Sequence, residues 1–141
     1  MYKTLSILSL AVVLSACSNT IVVEEHKKVI KTAVKPYSPT YHFVEFEFDL
    51  AEPVHLQTMA KQLAPHIEHL TSNPTHKVLL QGAGDDTGSY EYNFKLGMAR
   101  AAFIERYLLE HGVLQRQIRV SSVSKANSHL KPYARTVHLI Y

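Results

Sequence analysis

Residues 82–100 read GAGDDTGSYEYNFKLGMAR, and this stretch links a short apolar segment to a long periodic one. It holds three of the five glycines in the chain within seven residues, and Ser89 and Glu91 follow them. Glycine lets the backbone turn sharply and lets a ligand approach closely. Serine caps a helix start, and an acid in the first turn suits the helix dipole. The stretch therefore predicts a glycine-rich turn and then a helix over about 90–111.

The segments that precede this turn show two different periods. YHFVEFEFD at 41–49 alternates and predicts a half-buried strand with Val44, Phe46 and Phe48 on one face. A helix is expected to start at Glu52-Pro53, and Pro65 is expected to kink or split it. The residues expected to be buried are Leu56, Met59, Leu63, Ile67 and Leu70 in this helix, and Tyr92, Leu96, Ala99, Phe103 and Tyr107 in the helix after the turn.

Three further strands complete the predicted order. They are expected at 77–81 (KVLLQ), at 118–123 and at 135–141. The order is β-α-β-α-β-β, without an internal repeat. It predicts an α+β sandwich in which two helices pack on one face of a mixed four-stranded sheet.

The N-terminal residues have the pattern of a secretory signal. A positive start, the apolar run at 5–14 and small residues before Cys17 predict a signal peptide over 1–16. Cys17 is the only cysteine, so it has no partner for an internal disulfide. LSAC resembles the lipobox of bacterial lipoproteins, which implies lipidation of Cys17, and Ser18 after it implies sorting to the outer membrane. Residues 17–40 are predicted to be the lipidated start and a tether, and 41–141 the folded domain.

The composition limits the classes of function that the chain can have. The chain has 141 residues, 46% hydrophobic and 19% charged, with a formal charge of +3, and no basic arm or patterned basic helix is present. Nucleic acid is therefore not an expected partner. His66 and His69 lie three apart, but no Cys or acidic residue completes a metal-ligand pattern, and no G-x-S-x-G sequence is present. We expect no metal, no cofactor and no enzymatic activity.

Asp85 and Arg100 are the candidate site residues. Asn93 and Arg100 fall on nearly the same helix face, with Gly97 between them, so the three predict an open patch near the turn. Spacing alone leaves another interpretation open, in which Arg100 is a solvated arginine or a salt-bridge partner of Asp85. In that interpretation the turn is purely structural.

A longer pattern favours the site. G-x-x-D-x-x-G-S-x-x-Y-N-x-x-L-x-x-x-R-A, from Gly82 to Ala101, resembles the signature of the OmpA-like peptidoglycan-binding domain. FEFD at 46–49 and YLLEHGV at 107–113 extend the similarity, which covers about 41–141. With the lipobox, the layout resembles the peptidoglycan-associated lipoproteins. The resemblance departs from the family at Ala83 and Gly84 and over 124–136, where Ala134 and Thr136 replace an asparagine and an arginine.

The resemblance implies the ligand and the location. The ligand would be peptidoglycan, through the ammonium and carboxylate at the free end of meso-diaminopimelate in the stem peptide. Asp85 would accept from the ammonium, and Arg100 would hold the carboxylate in a bidentate pairing. Backbone N–H groups of Ala83, Gly84 and Asp86 would assist, and Asn93 would add a hydrogen bond or brace the turn. The protein would be anchored in the outer membrane and face the periplasm. Alternatively, the fold would serve an envelope complex, such as a secretion, pilus or flagellar apparatus, with weakened peptidoglycan binding.

Overall fold

The structure of the chain is a computed structural model that describes residues 37–39, 42–126, 128–129 and 133–141. The predicted signal peptide, Cys17 and the tether up to residue 36 lie outside the described residues. The elements are β1 (Phe43–Glu45), α1 (Leu56–Ser72), β2 (Val78–Gly82), α2 (Tyr90–Glu110), a short 3-10 turn (Gln115–Gln117), β3 (Ile118–Ser122) and β4 (Thr136–Ile140).

The four strands form one mixed sheet in the order β1-β4-β2-β3. β2 and β3 are parallel, with Val78 opposite Ile118, and α2 makes the crossover between them. β4 lies antiparallel to both β1 and β2. β1, β2 and β3 therefore all run the same way, and the sheet has one end where these strands begin and another where they finish.

A single apolar core lies between the helices and one face of this sheet. Alternation along the strands directs Val44, Leu80, Val137 and Leu139 to that face. α1 adds Met59, Leu63 and Leu70, and α2 adds Ala101, Ile104 and Leu108. The predicted α+β sandwich, with two helices on one face of a mixed four-stranded sheet, is confirmed.

Helix α1 differs from the prediction in two ways. It begins at Leu56 rather than after Pro53, and Leu56 is exposed. Pro65 does not split it, because the helix continues to Ser72. Proline removes one N–H from the helix, and the Pro65 carbonyl accepts a hydrogen bond from the Tyr37 hydroxyl at 2.8 Å. His66, rather than the predicted Ile67, is the buried residue of that turn.

The buried face of α2 was predicted one residue out of register. Its buried residues are Asn93, Gly97, Arg100, Ala101, Ile104 and Leu108. Tyr92 and Ala99 are exposed, and Leu96, Phe103 and Tyr107 are only partly buried. Two polar side chains and a glycine occupy the inner face near the helix start. Because the prediction looked for apolar residues at helical spacing, it selected the row of residues next to the buried face of α2.

Strand β1 is shorter than the predicted alternation. Val44 and Phe46 are buried as expected, but Phe48 is 60% exposed. The chain turns after Phe46, where Leu50 donates to the Glu47 carbonyl at 3.3 Å and Asp49 has a φ of 59°. Residues beyond Phe46 therefore belong to a turn at the end of the sheet.

The domain that contains the sheet has its own core. Val34–Tyr141 form one compact unit, and every described core residue lies within it. A unit with its own core is expected to fold by itself. Within the described ranges, neither helix is long and apolar enough to cross a membrane.

Part of the predicted tether packs against the end of α1. The ring of Tyr37 stacks on His69 at 3.6 Å and meets Tyr141 edge-on at 4.8 Å. His69 Nε2 lies 3.0 Å from His76 Nδ1, and His66 Nδ1 lies 2.6 Å from the Tyr141 hydroxyl. We call Tyr37, His66, His69, His76 and Tyr141 the Tyr37 cluster. It joins the chain that enters the domain to the end of α1.

Acidification is expected to weaken the Tyr37 cluster. Burial, and then the neighbouring His76, lower the pKa of His69 from its ordinary value near 6.5. A lowered pKa means that the folded state favours neutral His69, so this stabilisation is present above about pH 6.5 and is lost as the pH falls below it. Burial, and then the charge of Glu68, raise the pKa of Tyr37 in the same cluster. We therefore expect part of the fall in melting temperature between pH 7.5 and 5 to arise from protonation of His69.

Thermal denaturation of the Val34–Tyr141 unit checks this expectation. His69→Phe keeps an aromatic ring against Tyr37 but does not titrate, so its melting temperature should fall less on acidification. His42→Phe alters an exposed histidine and serves as the control. If the two variants respond to pH equally, His69 is not the group responsible.

Candidate functional site

Asn93 holds the glycine-rich turn in shape. Its side chain is 2% exposed, and its Oδ1 accepts from the Asp85 N–H at 3.1 Å. Its Nδ2 donates to the carbonyls of Thr87 at 2.5 Å and Ser89 at 3.1 Å. A Cβ on Gly84 would lie 1.9 Å from Asn93 Oδ1, so only glycine fits there. Of the two predicted roles for Asn93, the structure supports bracing of the turn.

The backbone donors at the start of the turn are already engaged. The Ala83 N–H donates to the Thr136 carbonyl at 2.8 Å, and the Gly84 N–H donates to the Ser124 carbonyl at 2.7 Å. The expectation that these two groups are available to a carboxylate is wrong, because the neighbouring segment uses them. Asp86 is exposed on the outer side of the turn.

Arg100 lies inside the domain with an exposed fraction of 0%. Its Nε donates to the Leu50 carbonyl and its Nη1 to the Ala83 carbonyl, both at 2.8 Å. Its Nη2 donates to the Glu47 carbonyl at 3.0 Å. Arginine has five N–H donors, so one N–H on each terminal nitrogen donates to no described residue. Arg100 is thus neither a solvated arginine nor a salt-bridge partner of Asp85.

The guanidinium stays charged although it is buried. Burial lowers its pKa from 12.5 to about 10, and Arg135 also lowers it, while Asp85 and Asp49 oppose the shift. The group is therefore protonated at neutral pH. No ion pair joins Arg100 to an acid in the described part of the chain. The charges of Asp85 and Asp49 therefore act on the guanidinium without direct contact. The Phe46 ring lies 5.4 Å from it.

Asp85 has one carboxylate oxygen engaged and one open. Its Oδ1 accepts from the Thr87 N–H at 3.0 Å and from the Thr87 hydroxyl. Its Oδ2 accepts from no donor among the described residues. These contacts fix the carboxylate at the turn and leave its second oxygen available to an external donor.

Asp85 lines an open pocket of about 310 Å³. The pocket lies where β1 and β2 end and α2 begins. Its other lining residues are Phe48, Asp49, Thr87, Gly88, Tyr92, Asn93 and Leu96. Two carboxylates therefore border one pocket, and the buried cation of Arg100 lies near enough to interact with both.

The sequence prediction missed Asp49, Phe48 and Tyr92 as parts of this pocket. Asp49 accepts a hydrogen bond from the Tyr92 hydroxyl, which joins the turn after β1 to the start of α2. The alternation over 41–49 had predicted that Phe48 is buried in the core, and the helical spacing had predicted the same for Tyr92. The presence of FEFD in the family resemblance was the one signal for Asp49.

An open patch beside Arg100 was predicted at Gly97, but the structure does not show one. A Cβ at Gly97 would lie 2.3 Å from Ser122 Oγ and 3.0 Å from the Gly82 carbonyl oxygen. Gly97 therefore faces the sheet. Its role is to let α2 approach β2 closely, and this approach positions Asn93 and Arg100.

The segment over 124–136, which departs from the family pattern, supports the turn from behind. Buried Ser124 donates from its hydroxyl to the Tyr90 carbonyl at 2.6 Å. The Arg135 N–H donates to the Gly84 carbonyl at 2.8 Å. None of the described residues of this segment lines the pocket. The described part of this segment therefore contacts the turn from behind and does not form a wall of the pocket.

The fold and the site define an α+β domain with an acidic pocket at one end of its sheet. Within the described ranges, no group of three or more His, Cys, Asp or Glu could hold a metal ion. Residues 46–136 match the OmpA family, and the chain belongs to that family. This membership confirms the prediction that the chain is not an enzyme.

Three relatives define the similarity more closely. A peptidoglycan-associated lipoprotein from Pasteurella multocida is 32% identical over 125 residues, which cover 86% of this chain and 79% of that protein. One from Legionella pneumophila is 38% identical over 72 residues, or 48% of this chain and 41% of that protein. The crystal structure of the peptidoglycan-associated lipoprotein from Burkholderia pseudomallei aligns with a TM-score of 0.64 and 31% identity over 71% of this chain and 89% of that one. The chain thus spans less than half of the Legionella relative.

Proposed function

We propose that this protein is an outer-membrane lipoprotein whose domain binds peptidoglycan non-covalently, through the meso-diaminopimelate of the stem peptide. The observation that carries the proposal is the open carboxylate oxygen of Asp85 in a pocket next to the buried charge of Arg100. The names of the relatives associate them with peptidoglycan. Asp85 in the pocket and Arg100 behind the turn over 47–50 would supply partners of opposite charge for the two poles of a zwitterion.

The two poles would bind in different ways. The ammonium would donate to Asp85 Oδ2, and Asp49 would supply a second negative charge. The carboxylate would accept from the two unused N–H groups of Arg100, as charge-assisted hydrogen bonds. Arg100 is fully buried, so the turn over 47–50 has to move aside for the ligand. No covalent bond is made or broken in this recognition.

The anchoring part of the proposal rests on the sequence. Residues 1–16 would be the signal peptide, Cys17 the lipidated residue, and the chain up to the domain the tether. A single acyl chain gives only marginal anchoring, so several chains on Cys17 would hold the protein in the outer membrane. The domain would then face the periplasm and connect the membrane to the cell wall.

Co-sedimentation of the Val34–Tyr141 unit with peptidoglycan sacculi tests the site. Asp85→Asn keeps a side-chain oxygen that can accept from Thr87, yet removes the charge that would bind the ammonium. A hydrogen bond to a charged group contributes about 1.5–3 kcal/mol, so we expect binding to weaken about 10- to 100-fold. Asp86→Asn removes the same charge one residue away and should bind like the wild type.

The same assay tests which part of the stem peptide is bound, and it distinguishes the proposed function from the alternative one. Sacculi whose stem peptides carry lysine present an ammonium without the neighbouring carboxylate, and they should bind weakly. If Asp85→Asn sediments like the wild type, the proposed site is wrong. If the wild type does not bind sacculi at all and instead retains envelope proteins in a pull-down, a role in an envelope complex replaces the proposal.

A further inference from the structure

A second pocket, of about 490 Å³, lies where β2 and β3 begin. It is lined by Pro74, Thr75, Lys77, Arg116, Gln117 and Arg119. The three cations come from three segments: the loop before β2, the short 3-10 turn, and β3. The lining contains no carboxylate, and none of the three cations forms an ion pair with a described residue. We call this set of residues the basic pocket.

Gln117 holds the wall of the basic pocket in place. Its side chain is 2% exposed, and its Nε2 lies within 3.1 Å of the carbonyls of Leu70, Asn73 and His76. Its Oε1 accepts from the Leu114 N–H at 3.2 Å. The end of α1, the loop before β2 and the 3-10 turn are thereby fixed together. Three positive charges are thus held around one pocket, where a bound anion would relieve their repulsion.

The basic pocket lies at the end of the domain where the chain enters. β2 begins beside it and finishes at the turn that carries Asp85, so the two pockets lie at opposite ends of β2. The Tyr37 cluster lies at the end of α1, and the loop that follows α1 through His76 leads to Lys77. A tether that runs to a membrane would therefore leave the domain at its basic end.

We propose that the basic pocket binds the anionic phosphate headgroups of the membrane that anchors the protein. This inference rests on the lipid anchor of the proposed function. Arginine and lysine match phosphate oxygens in geometry and charge. Contact with lipid at this end leaves the acidic pocket directed away from the membrane and towards the cell wall. The domain would then be oriented by its own charges as well as by the tether.

Vesicle binding by the Val34–Tyr141 unit, which lacks Cys17, tests the proposal. The unit should bind phosphatidylcholine vesicles that contain phosphatidylglycerol, and not phosphatidylcholine alone. Each cation near an anionic surface strengthens binding about fivefold, so Lys77→Gln/Arg116→Gln/Arg119→Gln should weaken it by about a hundredfold. Lys61→Gln/Lys95→Gln/Arg106→Gln loses the same charge from exposed helix positions and should bind nearly as well as the wild type.

Three results would overturn the proposal. They are absence of wild-type binding to the anionic vesicles, equal losses in the two triple variants, and full displacement by inorganic phosphate at constant ionic strength. The last would indicate a site for a small soluble anion. Sacculus binding separates this inference from the proposed function, since the basic-pocket variant should still bind sacculi and Asp85→Asn should still bind vesicles. Matching denaturation curves for the two triple variants exclude unfolding as the cause.

Discussion

Replacement of Arg100 with alanine is expected to abolish sacculus binding and also to destabilise the domain by about 3–5 kcal/mol. The side chain is completely buried and donates to the carbonyls of Glu47, Leu50 and Ala83. An unpaired buried acceptor costs about 1–3 kcal/mol, and the cavity left by the side chain adds to this. Such a loss is a large part of the 5–15 kcal/mol that holds a typical domain folded.

The structural role of Arg100 is to hold the turn over 47–50 in place. Two of the three carbonyls that accept from Arg100 belong to this turn, and the turn carries Asp49 into the acidic pocket. Without the guanidinium, the turn loses two of its hydrogen bonds to α2 and keeps the one that Asp49 accepts from the Tyr92 hydroxyl. Loss of binding in Arg100→Ala would then combine a missing ligand partner with a displaced Asp49.

Arg100→Lys separates the two roles. Lysine keeps the positive charge and three donors, so it retains part of the attachment to the turn, but its ammonium cannot form the planar two-point contact with a carboxylate. We expect a smaller loss of stability than in Arg100→Ala, with sacculus binding still reduced at least tenfold, as for one charge-assisted bond. Urea denaturation and sedimentation measure the two effects. Arg106→Ala, at an exposed position of the same helix, is the control. A stable Arg100→Ala domain that binds sacculi would contradict both roles.

The order of elements could be predicted because each element has its own hydrophobic period. Val44 and Phe46 alternate with acids, and Met59, Leu63 and Leu70 recur at helical spacing; all five are buried. Turn residues also identify the boundaries. Ser89 accepts from the Tyr92 N–H as the predicted N-cap of α2, and Gly112 adopts a φ of 90° just past its end.

The parts that could not be predicted depend on contacts between distant residues. Local alternation continues to Asp49, but the strand ends earlier because Arg100, some 50 positions further along, binds the turn carbonyls. The inner face of α2 was misplaced because Asn93 and Arg100 are buried and hydrogen-bond to the backbone, and hydrophobic periodicity does not detect buried polar side chains. Asp85 was selected from its own turn, whereas Asp49 reaches the pocket only through tertiary packing.

Gly82→Ala is expected to destabilise the domain by about 3 kcal/mol or more, as overpacking of a rigid contact does. A Cβ at Gly82 would lie 1.9 Å from the carbonyl oxygen of Gly97 and 2.6 Å from its carbonyl carbon. Both are backbone atoms of α2, so no side chain can rotate to make room. The whole helix would have to move away from β2, and the turn that carries Asp85 is attached to both elements.

Gly97→Ala tests the same contact from the helix side and is expected to cost less. Its Cβ would lie 2.3 Å from Ser122 Oγ and 3.0 Å from the Gly82 carbonyl oxygen. The Ser122 side chain can rotate away, at the cost of the hydrogen bond that its Oγ accepts from the Ser124 N–H at 3.1 Å. Alanine also favours a helix by about 1 kcal/mol over glycine. Ser122→Ala should therefore recover part of the stability lost in Gly97→Ala and none of that lost in Gly82→Ala. Urea denaturation of the single and double variants measures this difference. Equal costs at Gly82 and Gly97, with no recovery by Ser122→Ala, would show that backbone contact between α2 and β2 does not set the position of Asn93 and Arg100.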